Sequence, residues 1–346
     1  MNKHSTGKLL TIDGAMGEGG GQILRSSLAL SLSLGTAFRI IHVRATRKKP
    51  GLQPQHLAAV MAAAEISTAD TSGATPGSGE LTFAPHAIKP GDYRFATGTA
   101  GSATLVLQTI LPALMSADGP SHLELAGGTH NPLAPTFDFL EQAFLPLINR
   151  MGPRVTARLL RPGFYPAGGG IIHVDIEPAP QLKPLQLSER GAVVGKSASA
   201  LVSHLPLQIA HRELQVIGAE LRLGADDLQA REITSARGPG NVVTVIIRSR
   251  NITEVFTGFG MKGVRAETVA SRLVEGVRRY LAAEVPVGEL LADQLLLPLA
   301  LAGGGSYVTL RPSLHTTTNI AVLQKFMALQ IDCTELGPDR WSIELH

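Results

Sequence analysis

A glycine-rich turn leading into an apolar helix recurs along this chain, and one charge-rich stretch interrupts the recurrence. The first occurrence spans residues 14–21, between a strand over 8–13 and the run 22–34. In that run Leu28, Leu30, Leu32 and Leu34 alternate as in a strand, but Ala and Leu without β-branching favour a helix. A β run at 37–43, a basic loop at 44–51 and a helix opened by Pro54 follow, with Leu57, Val60, Met61 and Ala64 at helical spacing. The same signals return at 98–103: a helix to about Met115, a β run at 121–125, the turn AGGTHNP, and a helix marked by Phe137, Leu140, Phe144, Leu147 and Ile148. From about Leu187 to Val285 charges become frequent. There the pattern predicts a strand at 192–198, a helix at 207–221, a hairpin from 242–248 and 253–257, and a helix over 266–283. The earlier order then resumes with 290–301, the glycines at 303–305, a strand at 307–310 and a helix from Thr316 to about Leu329. An inserted segment in a repeated α/β architecture explains this order, with units expected at 1–186, 187–285 and 286–346.

With 346 residues, 44% of them apolar and 17% charged, the chain can bury a full core. Its single cysteine, Cys333, forms no internal disulfide and no thiolate metal cluster, so a cytoplasmic setting is expected. The start, MNKHSTGKLLTIDG, has no apolar core of a signal peptide. Residues 95–117 are free of charge, yet Gly98, Gly101, Gln108 and Pro112 interrupt them, which favours a buried helix over a membrane span. A net charge of +3 does not announce nucleic acid by itself. The charge is local, since the first 60 residues hold eight basic side chains against Asp13 and Glu18.

Several groups suit phosphate chemistry. The loop Gly17-Glu18-Gly19-Gly20-Gly21 entering a helix offers free N–H groups and the positive end of a helix dipole to an anion. It has neither the Lys-Ser/Thr pair of a P-loop nor GxGxxG, because Gln22 stands where the last glycine belongs. Glu18 in such a loop makes sense beside a cation, a divalent metal bridging it to a polyphosphate; the alternative is a glycine turn with one solvated carboxylate. Arg25, Arg44 and Arg47 fall near loop-to-helix junctions and, with Lys48, Lys49, Gln55 and His56, form either one basic pocket or a solvated face. No HExxH, Cys/His cluster or GxSxG occurs, so zinc hydrolysis and hydrolase-type serine chemistry have no support. His315, in RPSLHTTTN, is expected just before a helix capped by Thr316 to Asn319. The dipole there holds a phosphate against a ring whose lone pair can attack phosphorus, although a turn histidine bonded to a neighbour is the plainer option. In RPGFYPAGGG, a corner between repeats, Arg161 and Tyr165 could approach a ligand. Asp293, at the edge of an apolar segment, either satisfies backbone N–H groups or orients a histidine or ribose.

Taken in order, DGAMGEGGGQILRS, RATRKKPGLQPQH, DYRFATGTAGSATLVLQT, GGTHNP, RPGFYPAGGG, GPGN, VGELLADQLLLPLALAGGG and PSLHTTTNIAV resemble the RNA 3'-terminal phosphate cyclase family over nearly the whole chain. The resemblance implies an α/β fold of three βαβαββ units, the third interrupted by a small α/β domain. It implies that ATP and a divalent metal, Mg²⁺ or Mn²⁺, drive conversion of an RNA 3'-phosphate end to a 2',3'-cyclic phosphate through a histidine–AMP intermediate. By match to the family motifs, His315 is the nucleophile and Glu18 holds the metal. Arg25, Arg44, Arg47, Gln55, His56 and Gln108 line the phosphate and RNA-end pocket, Pro135 and Phe139 pack the adenine, and Asp293 lies beside the nucleotide. The family carries a Tyr where this chain has Leu290, which implies an aliphatic side to the adenine pocket. Retention of His315 and Glu18 argues against the rival reading, a non-catalytic RNA-binding protein of the same fold; a repeat-built transferase acting on a phosphorylated small molecule is more distant still. Partners are then RNA and ATP, with no membrane, and a homodimer is compatible with this reading.

Overall fold

In the computed structural model, which describes residues 9–98 and 100–346, three four-stranded sheets share one strand order and one pattern of pairing. Lys3, the expected strand start at Lys8, and Thr99 of the second glycine turn lie outside the described residues. The first unit runs β1 (Leu10–Asp13), α1 (Gly21–Leu34), β2 (Phe38–Ile41), α2 (Pro54–Ser67), β3 (Asp70–Ser72) and β4 (Leu81–Ala84). Its order is β1-β2-β4-β3, with β1 and β2 parallel and the other pairs antiparallel. The second unit repeats this with β5 (Asp92–Ala96), α3 (Ala103–Leu114), β6 (Ser121–Gly127), α4 (Phe137–Phe139), α5 (Leu145–Arg150), β7 (Arg154–Arg161) and β8 (Gly170–Glu177). A wider π turn at Leu140–Phe144 joins α4 to α5, and the sheet order is β5-β6-β8-β7.

The third unit starts with β9 (Gln186–Leu187), and the chain then leaves it to build a fourth sheet. This detour contains β10 (Val193–Ser203), α6 (Gln208–Leu221), β11 (Leu228–Glu232), β12 (Gly240–Ser249), β13 (Thr253–Phe259) and α7 (Ala266–Ala283), in the order β11-β10-β12-β13. α6 and α7 pack on its sheet around Val243, Val245, Ile217, Val277 and Tyr280, a cluster of its own. α8 (Glu289–Leu301), β14 (Gly305–Thr309), α9 (Leu314–Phe326), β15 (Ile331–Gly337) and β16 (Arg340–Leu345) complete the third sheet, β9-β14-β16-β15, with β9 parallel to β14.

Burial explains the helix at 21–34 despite its alternating leucines. α1 packs against α3 and α9, and Leu24, Leu28, Leu30 and Leu32 are all buried, so the segment is wrapped on every side rather than split into two faces. Helices from all three units share this one core. The charge-free run 95–117 divides into the end of β5, a loop and the buried α3, and no helix of the described residues is long and apolar enough to cross a membrane. The turn at 161–170 has a packing role. Phe164 is buried against Leu201, Ala236 and Val242 of the fourth sheet's unit, and a Cβ on Gly240 would lie 2.1 Å from its ring. Arg161 ties the turn to itself by donating to the Gly169 carbonyl at 2.6 Å.

Candidate active site

One cleft of about 690 Å³ lies where the first and third units, the turn after β6, and the fourth sheet meet. α1 enters it with its N-terminus. Gln22, Arg25, Ser26 and Ala29 line the cleft, a stripe at helical spacing on a helix whose other side chains are leucine, isoleucine and serine. Nε2 of Gln22 donates to Oδ1 of Asp293 at 2.5 Å, and Oε1 of the same amide lies 2.7 Å from Nδ1 of His315. Because the amide N–H faces a carboxylate, its oxygen faces the imidazole, and Nδ1 must carry the ring proton. Nε2 is left with a lone pair. Asp293 is fixed further by Asn319, donating at 3.2 Å, and by Gln294, donating to Oδ2 at 2.8 Å; Ser26 donates to Asn319 Oδ1 at 2.8 Å. Burial pushes the Asp293 carboxyl up, while His315, its amide donors and Arg25 pull it down.

His315 stands inside the first turn of α9, not ahead of the helix as its sequence suggested. The cap is Ser313, whose hydroxyl accepts the Thr316 N–H at 3.3 Å, leaving Thr316 to Asn319 within the helix. Thr318 instead braces the glycine loop, its hydroxyl accepting the Glu18 N–H at 2.9 Å. Gly17 has φ +53° there, and a Cβ on it would lie 2.1 Å from Thr318 Oγ1, so only glycine lets loop and helix approach this closely.

The basic residues divide. Arg25, Arg44, Arg47, Gln55 and His56 line the cleft, while Lys48 and Lys49 do not. The Arg25 guanidinium makes no hydrogen bond or ion pair with another described residue, and burial lowers it to about 10 against the pull of Glu18 and Asp293. Arg44 is held from behind, donating to the carbonyls of Lys49 at 2.5 Å and Gly51 at 3.1 Å. His56 accepts the Gln53 N–H on Nδ1 at 3.1 Å, so Nε2 carries its proton at the mouth of α1, where a Cβ on Gly21 would be 2.4 Å away. Burial, then Arg25 and Arg44, hold this imidazole down to about 3. An uncharged donor, an unpaired guanidinium and a helix N-terminus converge on one spot beside His315, an arrangement whose chemistry suits an anion.

Arg47 closes on Glu18, bonding both its carboxylate Oε2 and, at 2.7 Å, its carbonyl. Glu18 is nearly buried and reaches the cleft. Among the described residues no group of three or more His, Cys, Asp or Glu could hold a metal. A Mg²⁺-type ion needs fewer protein ligands, one or two carboxylates completed by water and phosphate oxygens, so Glu18 fits such an ion as its single protein oxygen.

At the other end the cleft is apolar. Leu133, Pro135, Phe256, Leu290 and Leu297 line it, and Gln108 joins the two ends through Gln294. Phe139 does not reach it: this residue is fully buried behind Thr136, whose hydroxyl accepts its N–H at 3.3 Å. Arg161 and Tyr165 are not among the lining residues either. Gln22, Asn319, Gln294 and Glu254 escaped the sequence reading. The polar stripe on α1 was the available signal for Gln22. For Glu254, buried on β13 and accepting the N–H groups of Gly288 (2.6 Å) and Val255 (3.2 Å) on its carboxyl oxygens, there was none.

Comparison with known proteins gives the family of the chain. A profile of the RNA 3'-terminal phosphate cyclase family matches residues 16–333. The RNA 3'-terminal phosphate cyclase of Koribacter versatilis (strain Ellin345) is 49% identical over 327 residues, covering 94% of this chain and 92% of its own. That of Ectopseudomonas mendocina (strain ymp) is 49% identical over 345 residues, covering 100% and 99%. Among solved structures, the enolpyruvyl transferase NikO from Streptomyces tendae superposes with a TM-score of 0.36 at 15% identity, over 97% of this chain and 48% of that one, too distant a likeness to bear on the fold. On the matched profile and these two full-length relatives, the chain belongs to the RNA 3'-terminal phosphate cyclase family.

Proposed function

We propose that this protein is an ATP-dependent RNA 3'-phosphate cyclase acting through a covalent adenylate on His315. The observation that carries the reading is the Asp293, Gln22, His315 chain, which protonates Nδ1 and presents the Nε2 lone pair beside an unpaired Arg25. Nε2 attacks the α-phosphorus of ATP, the bond to the bridging oxygen breaks, and pyrophosphate leaves. Imidazolium character develops on the ring as the N–P bond forms, and the Gln22 carbonyl backed by Asp293 stabilises the Nδ1 proton. An oxygen of the RNA 3'-phosphate then attacks the same phosphorus, the N–P bond breaks, and the adenylate passes to the RNA end. Finally the 2'-OH attacks the 3'-phosphorus, loses its proton, and displaces AMP to close the ring.

Arg25, Arg44, Arg47 and the Nε2–H of His56 bind and orient the phosphates. Glu18 would hold a divalent ion, which when bound neutralises phosphate charge. The apolar end, with Pro135 and Leu290, would take the adenine. Activation as an adenylate answers a chemical need, since a bare phosphate oxygen leaves poorly and AMP leaves well.

ATP labelled at the α-phosphate, supplied with metal, should leave acid-labile label on the wild-type protein and none on His315→Ala. An RNA 3'-phosphate should become phosphatase-resistant in the same mixture. Stable labelling of His315→Ala would move the nucleophile elsewhere; RNA binding with no labelling at all would establish a non-catalytic scaffold.

A further inference from the structure

Gly276 lies in the middle of α7, where glycine is the poorest helix former after proline. Its reason is not internal. A Cβ there would meet nothing within 4 Å, whereas at Gly218, the corresponding oddity in α6, a Cβ would lie 2.8 Å from Leu228 and glycine is needed for packing. Gly276 has no left-handed φ to justify it either. It is exposed and faces the active-site cleft, and it also lines a second cavity of about 330 Å³ that shares Phe256, Thr257 and Phe259 with the first. On the same helical face Arg272 and Arg279 stand one turn to either side, each lining one of the two cavities. The bare backbone of α7 is thus the floor of a trough running from the apolar end of the cleft, opposite Phe256 and Phe259.

We infer that Gly276 keeps the nucleobase end of the ATP site open, and that the base lies with its far edge over α7 between Arg272 and Arg279. This rests on the reading of the cleft as a nucleotide site and deepens it, making the inserted unit part of the wall that selects the base. The occupant follows from continuity. Phosphates belong at the α1 end with Arg25 and His56, and the apolar end that remains is lined by Leu290, Pro135, Phe256 and Gly276. A side chain at position 276 would fill the space where the base edge ends.

The test uses the full chain with metal and no RNA, comparing wild type, Gly276→Ala and Gly276→Leu. Equilibrium binding is measured for ATP and for tripolyphosphate, which shares the phosphates and lacks the base. Gly276→Leu should weaken ATP by at least about tenfold and leave tripolyphosphate unchanged. Gly276→Ala should weaken ATP by less while raising Tm by about 2 °C, because alanine is the better helix former and meets no clash. Equal ATP affinity in all three proteins overturns the assignment. So does a parallel loss of tripolyphosphate, which marks a distorted cleft, and so does a loss confined to RNA in a cyclisation assay, which would give the trough to the RNA strand. Failure of wild type to form an adenylate is a separate result, counting against the catalytic reading and leaving these binding measurements intact.

Discussion

Gln22 accepts the Nδ1 proton of His315 at 2.7 Å with the same amide whose N–H it gives to Asp293 at 2.5 Å. The imidazole's tautomer is therefore set from α8 through α1, without direct contact between carboxylate and ring. Asp293→Asn places an amide where a carboxylate accepts from Gln22, Asn319 and Gln294 at once, and an amide cannot accept on both sides. Gln22 should flip, turning its N–H toward His315 and moving the ring proton to Nε2. Single-turnover adenylation by Asp293→Asn should fall about 100-fold or more, and by Gln22→Ala about 10- to 100-fold, with ATP binding changed far less. Adenylation at the wild-type rate in Asp293→Asn would remove the relay from the mechanism.

Arg25 is held in the cleft with no hydrogen-bonded partner among the described residues, a cost of burial that Glu18 and Asp293 offset only in part. Arg25→Met should leave the ligand-free protein as stable as wild type, or more stable by about 1 kcal/mol. Binding of pyrophosphate, read by calorimetry on the same samples, should weaken at least about tenfold. A destabilised variant that binds pyrophosphate normally would mean that the guanidinium serves the fold.

Two buried groups tilt stability with pH in opposite directions. His56 is lowered from 6.5 to about 3, so between those values the unfolded chain takes a proton that the fold refuses, and stability drops as pH falls through this window. Glu254 is raised by burial from 4.5 to about 8 against its two N–H bonds, so the fold keeps a proton that the unfolded chain has lost, and stability drops as pH rises from 4.5 to 8. Each slope is at most about 1.4 kcal/mol per pH unit. Urea midpoints from pH 4 to 8 should show His56→Gln less sensitive to acid than wild type, and Glu254→Gln less sensitive on the alkaline side. Profiles parallel to wild type in both variants would show that neither group is excluded from its ordinary titration.

Phe164 is the main apolar tie between the turn after β7 and the unit inserted before α8. Phe164→Ala should cost about 3 kcal/mol and speed protease cleavage of the segments that join the inserted unit to the rest, at 188–192 and 284–288. Unchanged cleavage rates would show that other contacts hold the two units together.

Much of this was legible in the residues. Helical spacing in 54–67 and 266–283 and the change in charge near Leu187 sufficed to outline the order of elements, because those patterns follow from burying one face. The alternating leucines of 28–34 did not decide between helix and strand; wrapping by α3 and α9 did, and that is a tertiary fact. In the cleft, Arg25, His56, Gln108, Asp293 and His315 could be named from motif matches, since each carries a recognisable chemistry. Their partners could not. Gln22 and Asn319 are separated from each other by nearly the whole chain, and Glu254 sits on a strand whose sequence reads as ordinary core. Lys48 and Lys49 illustrate the converse: charge places them with Arg44 and Arg47, but the turn points those two arginines inward and leaves the lysines outside the cleft.

The bond between the Glu18 N–H and the Thr318 hydroxyl spans 300 positions of sequence. The glycine loop made early in the chain therefore stays unbraced while the rest of the first repeat, the second repeat and the whole inserted unit are synthesised. Only when α9 emerges and docks does His315 meet Gln22 and the basic residues of the cleft, so the cleft is among the last parts of the fold to be assembled.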